Sequence, residues 1–367
     1  MKVVVCVKQI PDPADPGALD PETKTLKRDS KLILDESDSY GVEMALQLVD
    51  AAGDGDVHLV SMAPNNEVSG LRTALAMGAS GATIVSDDAL QGSDALGTAK
   101  VLAAAIARQE PDLILAATES SDGYTGTVPE MIAALMDLPS VTFAKSVAID
   151  GGAAKVHRQT EAGYDEVECP LPSLVSVTAG VVEPRYPSFK GIMAAKSKPV
   201  DELTISDLGI DADEVGWAGA GQEILACLSH AAARVTSGKA DGIVFGPLNK
   251  EAMHKGGLTQ DDEMRFLASE LGYDGAFGEL NVLDQLWTTR VTSHVPISQV
   301  ADHITGSAVL QSIRFAHESL SRAGFATPRI AVAALNPHAG DGGNFGREEI
   351  DVITPAIEQA RAAGIEA

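Results

Sequence analysis

The chain has 367 residues, 45% hydrophobic and 22% charged, with a formal net charge of −25 and an isoelectric point near 4.5. That length exceeds the usual ceiling for one core and predicts two or three domains, while the acidity excludes an extended nucleic-acid contact, which needs a basic face. Three widely spaced cysteines (Cys6, Cys169 and Cys227), no bilayer-spanning apolar run and an N-terminal apolar run too short for a secretory signal point to a reducing, cytoplasmic setting without membrane insertion.

Short runs rich in branched apolar residues predict strands over residues 3–7, 57–62, 82–85, 112–117 and 174–178. Helical spacing over 40–52, 67–77 and 95–108 separates the first four, the rhythm of a parallel α/β sheet. Residues 141–149, 154–157 and 166–169 follow one another as strands with no helix between them, which predicts an antiparallel extension of that sheet. Residues 205–220 are acidic, then rich in glycine and alanine, and read as a linker or fusion junction. Alternation then resumes with helices over 223–236, 262–271 and 308–323, strands over 242–245, 289–292 and 330–335, and a last helix from about Arg347. The expected organisation is an α/β domain over 1–204, a junction over 205–220 and a partial α/β domain over 221–367.

The loop Asp122-Gly123-Tyr124-Thr125-Gly126-Thr127-Val128-Pro129 follows a predicted strand and opens a helix over 130–136. Free backbone N–H groups and the helix dipole attract an anion at such a junction, and glycines let the backbone approach it. The same residues would equally serve as a plain turn and cap. Three further stretches, Cys6-Val-Lys-Gln-Ile-Pro-Asp12, Arg72-Thr-Ala-Leu-Ala-Met-Gly-Ala79 and Glu183-Pro-Arg-Tyr-Pro-Ser-Phe-Lys-Gly-Ile-Met-Ala-Ala-Lys196, make residues 1 to about 218 resemble the beta subunit of electron transfer flavoprotein. That resemblance implies an adenine-nucleotide-binding fold that holds AMP and pairs with an alpha subunit, which carries most of the contacts to FAD. It also implies AMP contacts at Cys6, Val7, Asp35, Glu36, Ser37, Asp38 and Met62, and along the loop from Asp122 to Val128. By the same resemblance, Arg185, Tyr186, Phe189, Lys190 and Met193 belong to an exposed loop that docks on partner flavin dehydrogenases, although Phe189 taken alone could be an ordinary core residue. The family's C-terminal arm is expected after Glu214-Val-Gly-Trp217 and is replaced by other sequence.

In the second half, Gly246-Pro-Leu-Asn-Lys-Glu-Ala-Met253, Arg290-Val-Thr-Ser-His294 and Asn336-Pro-His-Ala-Gly-Asp-Gly-Gly-Asn-Phe-Gly-Arg-Glu-Glu349 each follow a predicted strand. His294 and His338 could offer imidazoles to a divalent ion, zinc or magnesium, which normally requires a third protein ligand at a catalytic site. His303 and His317 read as structural. Together these stretches resemble the 4-hydroxythreonine-4-phosphate dehydrogenases, metal- and NAD(P)-dependent enzymes. The resemblance implies that His294 and His338 are metal ligands and that a third histidine lies in a motif beyond Ala367. Asp261-Asp-Glu-Met264 stands where that family often has Gly-His-Thr-Glu, the histidine and threonine of which hold the substrate phosphate. The expected function is therefore an electron-carrier component in the first half beside a catalytically incomplete second half. The alternatives are a metal- and NAD(P)-dependent hydroxy-acid dehydrogenase, and an artificial or non-functional fusion.

Overall fold

The strand Lys2–Cys6 (β1) is apolar along nearly its whole length because both of its faces are covered, as parallel strands between two helical layers require. Side-chain alternation sends Val3 and Val5 into one core, and Val4 and Cys6 into the other. The structure, a computed structural model, describes residues 1–367 except 15, 16, 18, 22–24, 29, 30, 64, 276, 285 and 294. It divides into two compact units, Met1–Leu271 and Gly272–Ala367.

In the first unit, β1 is followed by a small hairpin, Gln9–Pro11 (β2) with Leu32–Leu34 (β3). Then come Glu36–Ala52 (α1), Asp56–Met62 (β4), Ser69–Met77 (α2), Gly81–Val85 (β5), Ala95–Ala107 (α3), Leu113–Ala117 (β6) and Val128–Leu135 (α4). Ser140–Asp150 (β7), Ala153–Thr160 (β8) and Gly163–Pro170 (β9) form the antiparallel extension, and Ser173–Val177 (β10), Phe189–Ala195 (α5) and Val200–Leu203 (β11) follow. The nine-stranded sheet runs β11-β5-β4-β1-β6-β10-β7-β8-β9. Helices α1 and α2 supply the core on one face, and α3 and α4 the core on the other. The chain leaves β1 toward β4 and β5, then crosses back to β6 on β1's other side. The strand order therefore reverses between β1 and β6, where open α/β sheets form a crevice at the carboxyl ends of their strands.

The segment carrying α5 is fixed to both helices of its face. Arg72 of α2 donates to the carbonyls of Ala195 and Lys198, and the Lys198 ammonium donates back to the carbonyls of Leu75 and Ala79 at the end of α2. Arg185 donates three hydrogen bonds to the buried Glu43 carboxylate on α1, with Nε at 2.7 Å from Oε2, and also reaches Asp50. Burial alone would raise the Glu43 carboxyl, but the bonds from Arg185 and from Gln47 outweigh it and hold the group below its usual range.

Beyond the sheet, Gly216–Thr236 (α6) is one unbroken helix that starts inside the segment read as a junction, and it packs with Lys250–Lys255 (α7) and Glu263–Glu270 (α8) around Leu228, Met253 and Leu258. The second unit holds a short hairpin, Asn281–Leu283 (β12) with Leu286–Thr288 (β13), and the helices Val300–His303 (α9), Gly306–Arg322 (α10) and Thr354–Ala362 (α11). Its core gathers Val309 and Ile313 from α10, and Ala356 and Ala360 from α11.

The strands predicted over 242–245, 289–292 and 330–335 are not strands in the structure. A branched apolar run becomes a strand only when a neighbour completes its hydrogen-bond ladder. Here Val244 is 99% exposed, and Ile330 donates one backbone bond to Glu366, beside an isolated bridge at Arg329. No helix among the described residues is long and apolar enough to cross a membrane.

Replacing Arg185 by alanine leaves the buried Glu43 carboxylate with Gln47 as its one side-chain donor, and should cost about 1–3 kcal/mol in urea or thermal unfolding. Because the folded carboxyl titrates below its unfolded value, the pair's contribution is present above the ordinary glutamate range and is lost as pH falls through the depressed value. The stability difference between wild type and Arg185→Ala should accordingly shrink toward zero on acidification below about pH 4.

Candidate functional site

At the reversal of strand order lies an open cavity of about 960 Å³. Its floor is the carboxyl end of β1 with Cys6 and Val7, one wall is the loop between β6 and α4, and its rim is the segment joining β5 to α3. Of the residues expected to contact a nucleotide, Cys6, Val7, Asp38, Met62, Thr125, Gly126 and Val128 line this cavity. Asp35, Glu36, Ser37, Asp122, Gly123, Tyr124 and Thr127 do not line it, although they are close in sequence to those that do.

The acidic residues of that set have a different task. Asp35 Oδ1 accepts from the N–H of Ser37 and so caps α1, while its Oδ2 accepts from both the N–H and the hydroxyl of Ser121, at 2.7 and 3.0 Å. Asp38 accepts from the N–H of Lys8 at 2.6 Å. Asp122 takes the Lys8 ammonium at 2.7 Å and the Arg28 guanidinium. These bonds tie the end of β1, the start of α1 and the turn after β6 into one assembly, so the loop is positioned by carboxylates whose lone pairs face the protein.

Burial pushes the Asp38 carboxyl well up, with the charges of Asp35 and Asp122 adding to the effect. Burial also opposes ionisation of Asp122, but the two cations outweigh it and hold that carboxyl below its usual range. The Cys6 thiol is pushed up to about 12 by burial, helped by Asp38, which leaves it a neutral floor residue and no nucleophile at ordinary pH.

The wall loop is shaped for close approach. Gly126 has φ of +65°, a conformation that costs a side chain strain, and the α4 cap residue Thr127 contributes no side-chain hydrogen bond. The first-turn N–H groups of α4 are thus left uncapped by a side chain, with Pro129 at a position where an N–H would be unused anyway. Sequence reasoning missed Lys8, Arg28 and the rim segment. The pairing of Lys8 and Arg28 with Asp122 spans 114 and 94 residues, beyond any local pattern.

The residues expected to dock partners cluster on and before α5, which is a short helix where an exposed loop was expected. Ser188 caps it by accepting from the N–H of Gly191. Tyr186 is 93% and Phe189 81% exposed, with Met193 half-exposed and Lys190 exposed beside them, so Phe189 is no core residue. Arg185 is engaged with Glu43 and Asp50.

In the second unit, His338 is exposed at the head of a turn in which Ala339, Gly340, Asp341, Gly342 and Gly343 all take positive φ. Glu349 closes this turn by accepting from the N–H of Asn336 at 2.8 Å. His294 lies outside the described residues. Among the described residues no three histidine, cysteine, aspartate or glutamate side chains converge as metal ligands.

A family model described as electron transfer flavoprotein domain matches residues 23–208, and one described as pyridoxal phosphate biosynthetic protein PdxA matches 171–367. The electron transfer flavoprotein subunit beta of Mycobacterium tuberculosis is 40% identical over 230 residues, covering 61% of this chain and 86% of that protein. A Pseudomonas aeruginosa protein provisionally named 4-hydroxythreonine-4-phosphate dehydrogenase 2 is 48% identical over 147 residues, covering 40% of this chain and 44% of that protein. The chain therefore spans less than half the length of the curated dehydrogenases it matches. A solved 4-hydroxythreonine-4-phosphate dehydrogenase from Klebsiella pneumoniae covers 77% of this chain and 72% of its own at 22% identity, but its TM-score of 0.39 is too low to support a shared fold. With each family pattern extending over more than half of its length, the chain belongs both to the electron transfer flavoprotein family, through its N-terminal part, and to the PdxA family, through its C-terminal part.

Proposed function

We propose that this chain acts as a beta-type component of an electron transfer flavoprotein. In this reading it binds AMP in the cavity beside β1, pairs with an alpha subunit that holds most of the FAD, and accepts electrons from flavin dehydrogenases docking on the segment from Arg185 to Met193. The observation that carries the reading is the cavity itself. It lies at the reversal of strand order, and beside it are an uncapped helix start and a left-handed glycine that bring backbone N–H groups toward an anion.

The Asp122, Asp35 and Asp38 carboxylates are engaged by Lys8, Arg28, Ser37 and Ser121, so they act by holding the loop, and the phosphate is left to the backbone. Phe189 and Met193 supply an apolar anchor of the kind that dominates transient interfaces, and Lys190 supplies a positive charge beside it.

Purified protein extracted with denaturant should release AMP in near-equimolar amount and little FAD. Gly126→Val, which strains a left-handed position beside the cavity, should weaken AMP binding by tenfold or more in titration calorimetry, since a non-glycine residue there costs of order 1–3 kcal/mol. Wild-type affinity in that variant, or wild-type protein without any nucleotide, would contradict the reading.

Phe189→Ser should leave the melting temperature unchanged, because the ring is 81% exposed, while lowering the apparent affinity for a flavin dehydrogenase partner by roughly tenfold in an electron-transfer assay reconstituted with an alpha subunit. A lowered melting temperature with unchanged transfer would assign the ring a folding role instead.

A further inference from the structure

The rim of the cavity, from Asp87 to Ala95, is anchored at its two ends and held in its middle from outside. At one end, Asp87 caps the short turn Asp88–Leu90 and Leu90 is buried. At the other, Asp94 caps α3 by accepting from the N–H of Gly97. Between them Gln91, Gly92 and Ser93 all line the cavity, with Gly92 at φ +82°. What covers this middle stretch is the start of α6. The N–H of Gly216 donates to the Ser93 hydroxyl at 3.0 Å, and the Trp217 indole lies so close over Gly92 that a Cβ there would overlap the ring. Gly216 itself is pressed against the carbonyls of Ala89 and Gln91.

The indole is braced in turn from the helices beyond it. The Lys255 ammonium of α7 stands 5.7 Å from the Trp217 ring centroid, and Glu223 of α6 reaches Lys100 of α3 at 3.4 Å. Trp217 does not line the cavity.

We infer that Trp217 is a positioning residue for the rim of the nucleotide cavity, so that α6 and α7 form a working part of that site. The inference rests on the AMP reading for its ligand, but the rim contacts stand independently of it. An aromatic ring packed on a glycine backbone restricts that backbone at small entropic cost, since the ring has few rotatable bonds and its cation partner adds a directional hold. A rim held in one place before the ligand arrives raises affinity by removing part of the ordering cost. Reciprocally, a nucleotide that presses on the rim must alter the surroundings of the indole.

The chain has two tryptophans, so Trp287→Phe leaves Trp217 as the single indole reporter. In that background AMP should give a saturable change in emission. Trp217→Ala should weaken AMP binding roughly fivefold or more and speed amide exchange across residues 91–95 even without nucleotide. Trp217→Phe should restore most of both, and Lys255→Met, which leaves the ring in place, should give a smaller loss in the same direction.

Wild-type AMP affinity and unchanged exchange in folded Trp217→Ala overturn the inference, whatever the emission does. If that variant fails to fold, unchanged affinity and exchange in Lys255→Met overturn it. If wild type binds no AMP, the proposed function fails, and exchange at 91–95 still decides whether Trp217 positions the rim.

Discussion

Three buried carboxylates hold the first unit's crevice open in a defined shape. Asp35 and Asp38 come from the start of α1 and Asp122 from the turn after β6, and each is engaged by a remote donor: Ser121, Lys8, and the Lys8 and Arg28 cations, with Ser37 as a further, local donor to Asp35. A buried acceptor without a partner is costly, so these bonds must form together with the strand and helix ends they join. The loop after β6 takes its course from this network. Its Gly126 and the start of α4 at Val128 line the cavity, whereas Asp35 and Asp122 do not.

The same logic of remote capping recurs around α2. This nine-residue helix has no side-chain cap of its own at Val68, and Gln9 from β2 supplies one by accepting from the N–H groups of Gly70 and Leu71. At the other end the Lys198 ammonium takes up the carbonyls of Leu75 and Ala79. A helix this short is marginal alone, and it persists here because its polar ends are satisfied by the strand end beside the cavity and by the segment that follows α5.

The parallel strands were legible in the sequence because burial on both faces makes them continuous apolar runs, as in β1 and β6. The edge strand β11 was not, since Val200-Asp-Glu-Leu203 carries two exposed acids in its middle. Helix α5 escaped notice because its order comes from Arg72, Lys198 and the Ser188 cap, which no periodicity over seven residues reveals. In the second half the error ran the other way. Residues 242–245 and 330–335 have strand composition, but pairing is a property of neighbours that composition does not contain. The cavity's glycine loop and floor were found from spacing and resemblance, whereas the Lys8 and Arg28 cations and the rim were hidden by their distance along the chain.

The unbroken course of α6 sets a phase condition on its own length. Its first residues are fixed by the rim, through Gly216 and Trp217, and its later residues Ile224, Leu225 and Leu228 are fixed by packing around Met253 and Leu258. Each residue of a helix turns the next by about 100°. One residue added or removed between Trp217 and Ile224 would swing the apolar stripe away from α7 while the indole stayed seated, or unseat the indole while the stripe stayed packed. Only insertions that keep the angular register, about seven residues for two turns, would leave both ends satisfied. The length of this helix is therefore quantised by its two attachments, and a family of such chains would vary here in steps, not residue by residue.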